Sequence, residues 1–421
     1  MTAPRRVAIV VHAIVPGDPR VRRQSDALLD AGYEVDIFAL RVRGEAGEES
    51  SNGLRIVRLP VNRAFVGFAG HIAEYLAFSA IVLWRLAREH RHRRYDLVQI
   101  ATVPDFLGFA ALPQRLRGVP LLLDLHEDMP EFFRDRFASR LLRPLTPVVA
   151  ATSRAAARIA TELITVHEPL RQLSIARGVD PERISVVMNS ADSRLFDPER
   201  QPRRAFMADG ELRLLHHSNL QRMYGLDVAI EGLAMLRPQL RWRLDVYGDG
   251  PWRPHVKAAI QRTGTGDRVH LHGRIPLDDL PGLLAGADIG LVPSLPEPYL
   301  QYSLSTKLLE FAAMGVPTVA SDLATFRHHF TADALRYVPG ADPDALARAI
   351  ESLVDDPAGT VAMGLEAQRQ ARAYDWEDQR GRYLAIVDRL ISARRGVPPV
   401  TDPSVGARAD DGSIGGTHGG P

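Results

Sequence analysis

Cysteine is absent from the 421 residues. That excludes disulfides, thiolate nucleophiles and cysteine-ligated zinc together, and it fits a reducing compartment. Lysine is nearly absent as well. Of 52 basic residues only Lys257 and Lys307 are lysine, and the other 50 are arginine. Such a bias fits a GC-rich genome, so each retained lysine is informative. Net charge is also missing, with 52 basic against 51 acidic side chains for a formal +1. So balanced a chain lacks the concentrated cationic face that a phosphate backbone requires, and nucleic acid is not an expected partner. No GxxxxGK[ST], HExxH or GxSxG occurs, which removes the phosphate-loop, zinc-protease and nucleophile-elbow chemistries. The single Asp-x-Asp, Asp342-Pro-Asp344, stands at a helix start where capping accounts for it. The neighbouring histidines His216-His217 and His328-His329 alternate faces on a strand and make poor paired ligands. Neither a metal nor a cofactor is expected.

What remains is a globular composition, 45% apolar and 24% charged, at a length that favours two domains. The first residues place arginines before an apolar run, as a leader would. That run, 7–15, is short and interrupted by His12, with no small-residue cleavage site after it. It reads as a buried first strand of a cytoplasmic protein.

The N-terminal half alternates apolar strands, at 7–11, 33–40, 96–100, 120–125, 164–166 and 184–188, with helical stretches such as 20–31. Strands separated by helices imply right-handed βαβ units and a mostly parallel, doubly wound sheet. A polar, proline-bearing stretch at 197–204 has linker composition. The alternation then restarts, with strands at 212–216, 242–247, 269–271, 289–292, 318–320 and 336–338. The expected layout is a Rossmann-like domain over 1–200, a second over 201–375, a helix over 376–395 packing back toward the first domain, and a disordered Gly/Pro-rich tail over 396–421. Ligands in such sheets bind at the carboxyl ends of the strands, so the cleft between the halves is the default site.

The most informative stretch is 294–322, SLPEPYLQYSLSTKLLEFAAMGVPTVASD. Ser303 or Ser305 is placed to cap a helix reaching Met314, with Gly315 at its end and Pro317 forbidding continuation. Lys307 then falls in the first turn, where a cation opposes the helix dipole unless an anion occupies the N-terminus. Glu310 shares its face and suits a ribose diol. The bland alternative, a surface Lys307–Glu310 pair, has the weaker orientation and stabilises by only about 0.2–0.5 kcal/mol.

This segment resembles the nucleotide-sugar signature of the retaining family-4 glycosyltransferases, which have the GT-B fold. The resemblance extends in order over residues 5–392. It implies ribose contact for Glu310 and diphosphate contact for the amides of Leu308 and Leu309. Tyr302 stands where the family has a first glutamate, and Ser305-Thr306-Lys307 matches the Ser-x-Lys variant of a subgroup. Gly17 lies in a stretch similar to the family's N-terminal donor loop. Ser218, Asn219 and Arg222 lie in the loop opening the second domain, where Arg222 is implied on the diphosphate without the usual companion lysine. Gly248 and Gly250 match a loop near the donor, and Arg274 a base-contacting turn. His126, just past a buried strand, matches a histidine that contacts the transferred sugar. The implied catalytic set is His126, Arg222 and Lys307. The implied donor-binding set is Gly17, Ser218, Asn219, Gly248, Gly250, Arg274, Tyr302, Thr306, Lys307, Leu308, Leu309 and Glu310.

The expected activity is therefore metal-independent transfer of a sugar, with retention, from a nucleotide-diphosphate donor to a glycan or lipid-linked acceptor. A sugar-nucleotide epimerase and a non-catalytic nucleotide-sugar-binding scaffold are the alternatives. Residues 64–84 are interrupted only by His71 and Glu74, and a basic run follows to Arg94. Peripheral membrane contact through 64–94 and 131–143 is one reading of these segments and a buried helix the other.

Overall fold

The computed structural model describes residues 4–396, apart from 16, 43, 62–66 and 137–141. The tail at 397–421 and parts of the 64–94 and 131–143 segments therefore lie outside the described residues. The first sheet has eight strands: β1 (Arg6–Ile14), β2 (Glu34–Leu40), β3 (Glu48–Ser51), β4 (Leu54–Leu59), β5 (Leu97–Ala101), β6 (Leu121–Leu125), β7 (Glu162–Thr165) and β8 (Ile184–Val186). Their spatial order is β3-β4-β2-β1-β5-β6-β7-β8, parallel except where β3 runs against β4. The second sheet has β9 (Leu212–His217), β10 (Trp242–Tyr247), β11 (Val269–Gly273), β12 (Ile289–Val292), β13 (Thr318–Ser321) and β14 (Arg336–Val338). It is parallel throughout, in the order β11-β10-β9-β12-β13-β14.

Strand alternation decides how each sheet is covered. Val7, Ile9 and Val11 of β1 face one side and Ala8 and Val10 the other, as period-two geometry requires. Phe78, Val82 and Leu86 of the helix Gly67–Arg93 cover the second side. Tyr383, Val387 and Ile391 of the last helix, Trp376–Arg395, cover the first. That helix follows the second sheet in sequence but is bolted to the first domain. Tyr33 Oη donates to Asp388 at 2.8 Å, Tyr383 Oη to Gln99 Oε1 at 2.6 Å, and Arg395 pairs with Asp96 at 2.6 Å.

Two strands, β3 and β4, escape the hydropathy pattern. Leu54–Leu59 reads LRIVRL, and its arginines break the apolar run. Both are nevertheless buried, because Arg55 meets Asp36 at 2.9 Å and Arg58 meets Glu49 at 2.9 Å. The polar stretch after Phe196 does link the sheets, yet it is pinned. Arg203 donates to the Gly315 and Ala287 carbonyls, and Arg204 pairs with Asp288 at 3.2 Å.

Candidate active site

The carboxyl ends of both sheets open into one cleft. β9 and β10 pair in register up to His217 opposite Tyr247, so the loops leaving them meet. Ser218 N donates to the Tyr247 carbonyl at 2.9 Å. Gly248 has φ +125°, and a Cβ there would lie 1.8 Å from the Ser218 carbonyl oxygen. Only glycine permits that approach. Gly250 is held the same way, with its Cβ position 2.4 Å from the Leu220 carbonyl. Gly250 thus shapes the loop and is not itself among the cleft residues.

The cleft has two connected parts. One, about 690 Å³, is lined from the first domain by Gly17, Arg20, His126 and Glu127, and from the second by Asn219, Tyr224, Ser305, Thr306, Lys307 and Leu309. The other, about 650 Å³, holds His217, Ser218, Gly248 and Asp249. Gly17, Asn219 and Arg274 border both.

The helix Thr306–Ala313 begins in the first part. Ser305 occupies its N-cap position without capping it, and Ser305 Oγ is buried with no hydrogen-bond partner. The expected cap is therefore not made, and the helix start faces the cleft with the Ser305 hydroxyl unanswered. Leu308 N donates to the Ser305 carbonyl at 3.0 Å and its side chain is fully buried. That amide is already engaged within the turn, so Leu308 is a core residue in this arrangement. Lys307 is 7% exposed, with Nζ 3.8 Å from the centre of the Tyr224 ring, which favours a cation. Burial lowers its ammonium to about 8, with Glu310 opposing. Burial likewise pushes the Glu310 carboxyl up to about 7, against Arg23 and Lys307. Glu310 Oε2 lies 3.5 Å from His217 Nε2, behind an imidazole of the second part, and does not itself line either part.

His216 fixes the loop that follows. Its Nδ1 lies 2.9 Å from the Leu291 carbonyl and its Nε2 2.8 Å from Ser218 Oγ. Burial, then Lys307, hold its value down at about 3. The neutral ring therefore donates from Nδ1 to Leu291 and accepts from the Ser218 hydroxyl.

On the opposite wall His126 Nε2 is 3.0 Å from Asp124 Oδ2. Gln24 Nε2 donates to the same oxygen at 2.9 Å, Gln99 Nε2 donates to Gln24 Oε1 at 2.8 Å, and Tyr383 closes the chain on Gln99. Arg20 grips Asp18 through Nε at 3.0 Å and Nη2 at 2.7 Å. Burial alone would raise the Asp18 carboxyl, but the bonds and charge of Arg20 hold it at about 2.

Five sequence candidates are not among the residues lining this cleft, Leu308 and Glu310 as described above and three more. Arg222 pairs with Glu297, is half exposed, and lines a neighbouring pocket. Tyr302 is 38% exposed on the short turn Tyr299–Tyr302, outside the cleft lining. Gly250 stands behind its loop, as above. Conversely Arg20 and Tyr224 carry no role in the sequence reading. The local signal at Arg20, an Asp18-x-Arg20 pair, reads as an ordinary turn.

Two parallel α/β domains facing each other across a cleft at their strand ends constitute the GT-B architecture of glycosyltransferases. Family models place the chain there. The "Glycosyl transferase 4-like domain" matches residues 17–190 and "Glycosyl transferases group 1" matches residues 211–356, so the chain belongs with the GT-B glycosyltransferases of these two domain families. A D-inositol 3-phosphate glycosyltransferase from Arthrobacter sp. (strain FB24) is 27% identical over 412 residues, spanning 89% of this chain and 91% of its own. Sucrose-phosphate synthase from Thermosynechococcus elongatus superposes with a TM-score of 0.75 over 92% of this chain and 100% of its own, at 20% identity. HepE from Anabaena, solved with UDP-glucose, gives a TM-score of 0.66 over 91% and 99%, at 16% identity. At these identities the solved structures establish the fold.

Proposed function

We propose that this glycosyltransferase takes a nucleotide-diphosphate sugar as donor and transfers the sugar with retention of anomeric configuration, without a metal ion. The observation that carries the reading is Lys307, a buried cation in the first turn of a helix whose N-cap hydroxyl, Ser305 Oγ, has no partner. Both features favour a diphosphate. Arg20, half-buried across the cleft, is a second cation for the same charge. In this reading it replaces Arg222 as Lys307's companion. Preorganised charges of this kind stabilise a leaving diphosphate in the manner of a metal ion. Glu310, with Ser218 and Arg274, would hold the nucleoside, and His126 the sugar.

Retention follows if the acceptor hydroxyl attacks the face that the diphosphate leaves. The bond from the anomeric carbon to the phosphate oxygen breaks as the acceptor oxygen bonds to that carbon. The acceptor proton passes to the departing phosphate oxygen, so no enzyme nucleophile is required. A thermal-shift panel of UDP-, GDP-, ADP- and dTDP-sugars, with and without EDTA, tests the reading. Several degrees of stabilisation by one donor, unchanged by EDTA, is expected. A silent panel, or stabilisation abolished by EDTA, counts against it.

The acceptor side is proposed to work at the cytoplasmic face of a membrane, on a glycan or lipid-linked acceptor. No helix among the described residues is long and apolar enough to cross a bilayer. The helix Gly67–Arg93 nevertheless shows solvent an apolar stripe, with Leu76, Leu83 and Trp84 exposed, followed by exposed Arg88 and Arg91. An apolar face with a basic end suits an anionic bilayer surface. Flotation with phosphatidylglycerol vesicles should fall when Leu76, Leu83 and Trp84 become serine. Unchanged flotation sinks this part.

A further inference from the structure

Arg222 misses the donor cleft because it belongs to a different cavity. A pocket of about 730 Å³ adjoins the cleft, walled by Arg134, Arg143 and Arg177 of the first domain and Arg222 of the second. Only two carboxylates, Glu131 and Glu297, share that wall. Glu131 is divided between Arg134 at 2.6 Å and Arg177 at 3.1 Å, and Glu297 takes Arg222. Arg143 is exposed and makes no ion pair among the described residues. Arg177 also pairs with Asp128 at 2.9 Å, so the four arginines exceed their acidic partners by one positive charge, left on Arg143. Arg134 and Arg222 are about half exposed, so their present pairs are weak and exchangeable.

The position of the pocket is as telling as its charge. Tyr299 lines it, packs edge-on against Phe132 of the first domain with ring centres 5.7 Å apart, and is hydrogen-bonded to Glu127. Glu127 lines the donor cleft. A single hydrogen-bonded pair of side chains therefore separates this basic pocket from the place where the sugar would be transferred.

We propose that this pocket anchors the acceptor, and that the acceptor carries a phosphate group seated between Arg143 and Arg222. The assignment rests on the glycosyltransferase reading of the adjoining cleft. A phosphate there offers its oxygens to guanidinium groups of both domains, which matches their fork of donors. It also ties acceptor binding to closure, since Arg143 and Arg222 come from opposite sides of the cleft.

The test is a titration of inorganic phosphate, followed by calorimetry, into protein whose donor cleft is filled by a nucleoside diphosphate at constant ionic strength. Wild type should take up one phosphate. Arg143→Gln and Arg222→Gln should each weaken it about tenfold, as expected for a lost hydrogen bond to a charged group, with melting temperatures unchanged. No uptake by wild type overturns the proposal, as does equal affinity in all three proteins. If no nucleoside diphosphate binds, the transferase reading fails separately. The phosphate titration is then read in Lys307→Ala, where the arginine pocket alone remains, by the same criterion. Displacement by glucose 6-phosphate assigns the pocket to soluble phosphorylated acceptors, and displacement by phosphatidylinositol vesicles to a lipid headgroup. Displacement by neither overturns its assignment to the acceptor.

Discussion

The two walls of the cleft are built on opposite principles. On the first-domain wall the Asp18 and Asp124 carboxylates are answered from within. Arg20 holds Asp18, and Asp124 collects Gln24 and lies against His126. On the second-domain wall the polar groups are left waiting, with Ser305 Oγ unpartnered and Lys307 buried against an aromatic face. A self-satisfied network fixes geometry, whereas an unanswered cation at a helix start stores binding potential for a charge that arrives from outside. The first wall should therefore matter for stability as well as for binding, and the second for binding and chemistry with little effect on stability.

The sharpest separation is expected at Lys307. Lys307→Ala should cut kcat/KM by about 10²–10³, the range for removing one preorganised charge-stabilising group. Its melting temperature should hold or rise, because a desolvated ammonium is removed. Activity on any donor found by the panel and a melting curve check both. Asp124→Asn should behave differently. It turns an acceptor into a donor against Gln24, so about 1–3 kcal/mol of stability is lost, measured by urea denaturation. Turnover should fall about tenfold or more as His126 loses its support. If Lys307→Ala unfolds as readily as Asp124→Asn, the contrast between the walls collapses.

The pH dependence separates binding from stability on one residue. Lys307 titrates at about 8 in the folded protein, against 10.5 for an ordinary lysine. Its charge is present below that value and lost above it, so the donor Kd should rise about tenfold by pH 9. The stability effect has the other sign. Between about 8 and 10.5 the unfolded chain binds more protons, so the contribution of Lys307 to stability increases as pH rises. Lys307→Arg, which stays charged, should flatten the binding profile. A wild-type Kd that stays flat through pH 9 would remove the cation from the donor site.

Much of this was legible in the chain. Apolar periodicity places the parallel strands, and the serine start, Gly315 and Pro317 bound the helix that presents Lys307, with Gly315 at φ +64°. What periodicity cannot carry is pairing across distance. β4 is hidden by arginines whose acids lie on β2 and β3. Arg222 is directed by Glu297, 75 positions away, so its local loop pattern pointed to the diphosphate and its fold to another pocket. The support behind His126 ends on Tyr383, which no local pattern could connect to it.

That remote support sets the smallest effect. Tyr383 is fully buried on the C-terminal helix, and its hydroxyl donates to Gln99 Oε1 at 2.6 Å. Gln99 Nε2 donates in turn to Gln24 Oε1, and Gln24 Nε2 to Asp124. Tyr383→Phe keeps the ring and removes only the donor, leaving one acceptor of Gln99 unpaired in a closed environment. Roughly 0.5–1.5 kcal/mol of stability should go with that hydrogen bond. Because Gln24 and Gln99 still donate to Asp124 beside His126, kcat should fall only about two- to threefold with KM for the donor unchanged. A large KM effect instead would mean that the C-terminal helix acts on the second-domain wall, for which the structure shows no route through this network.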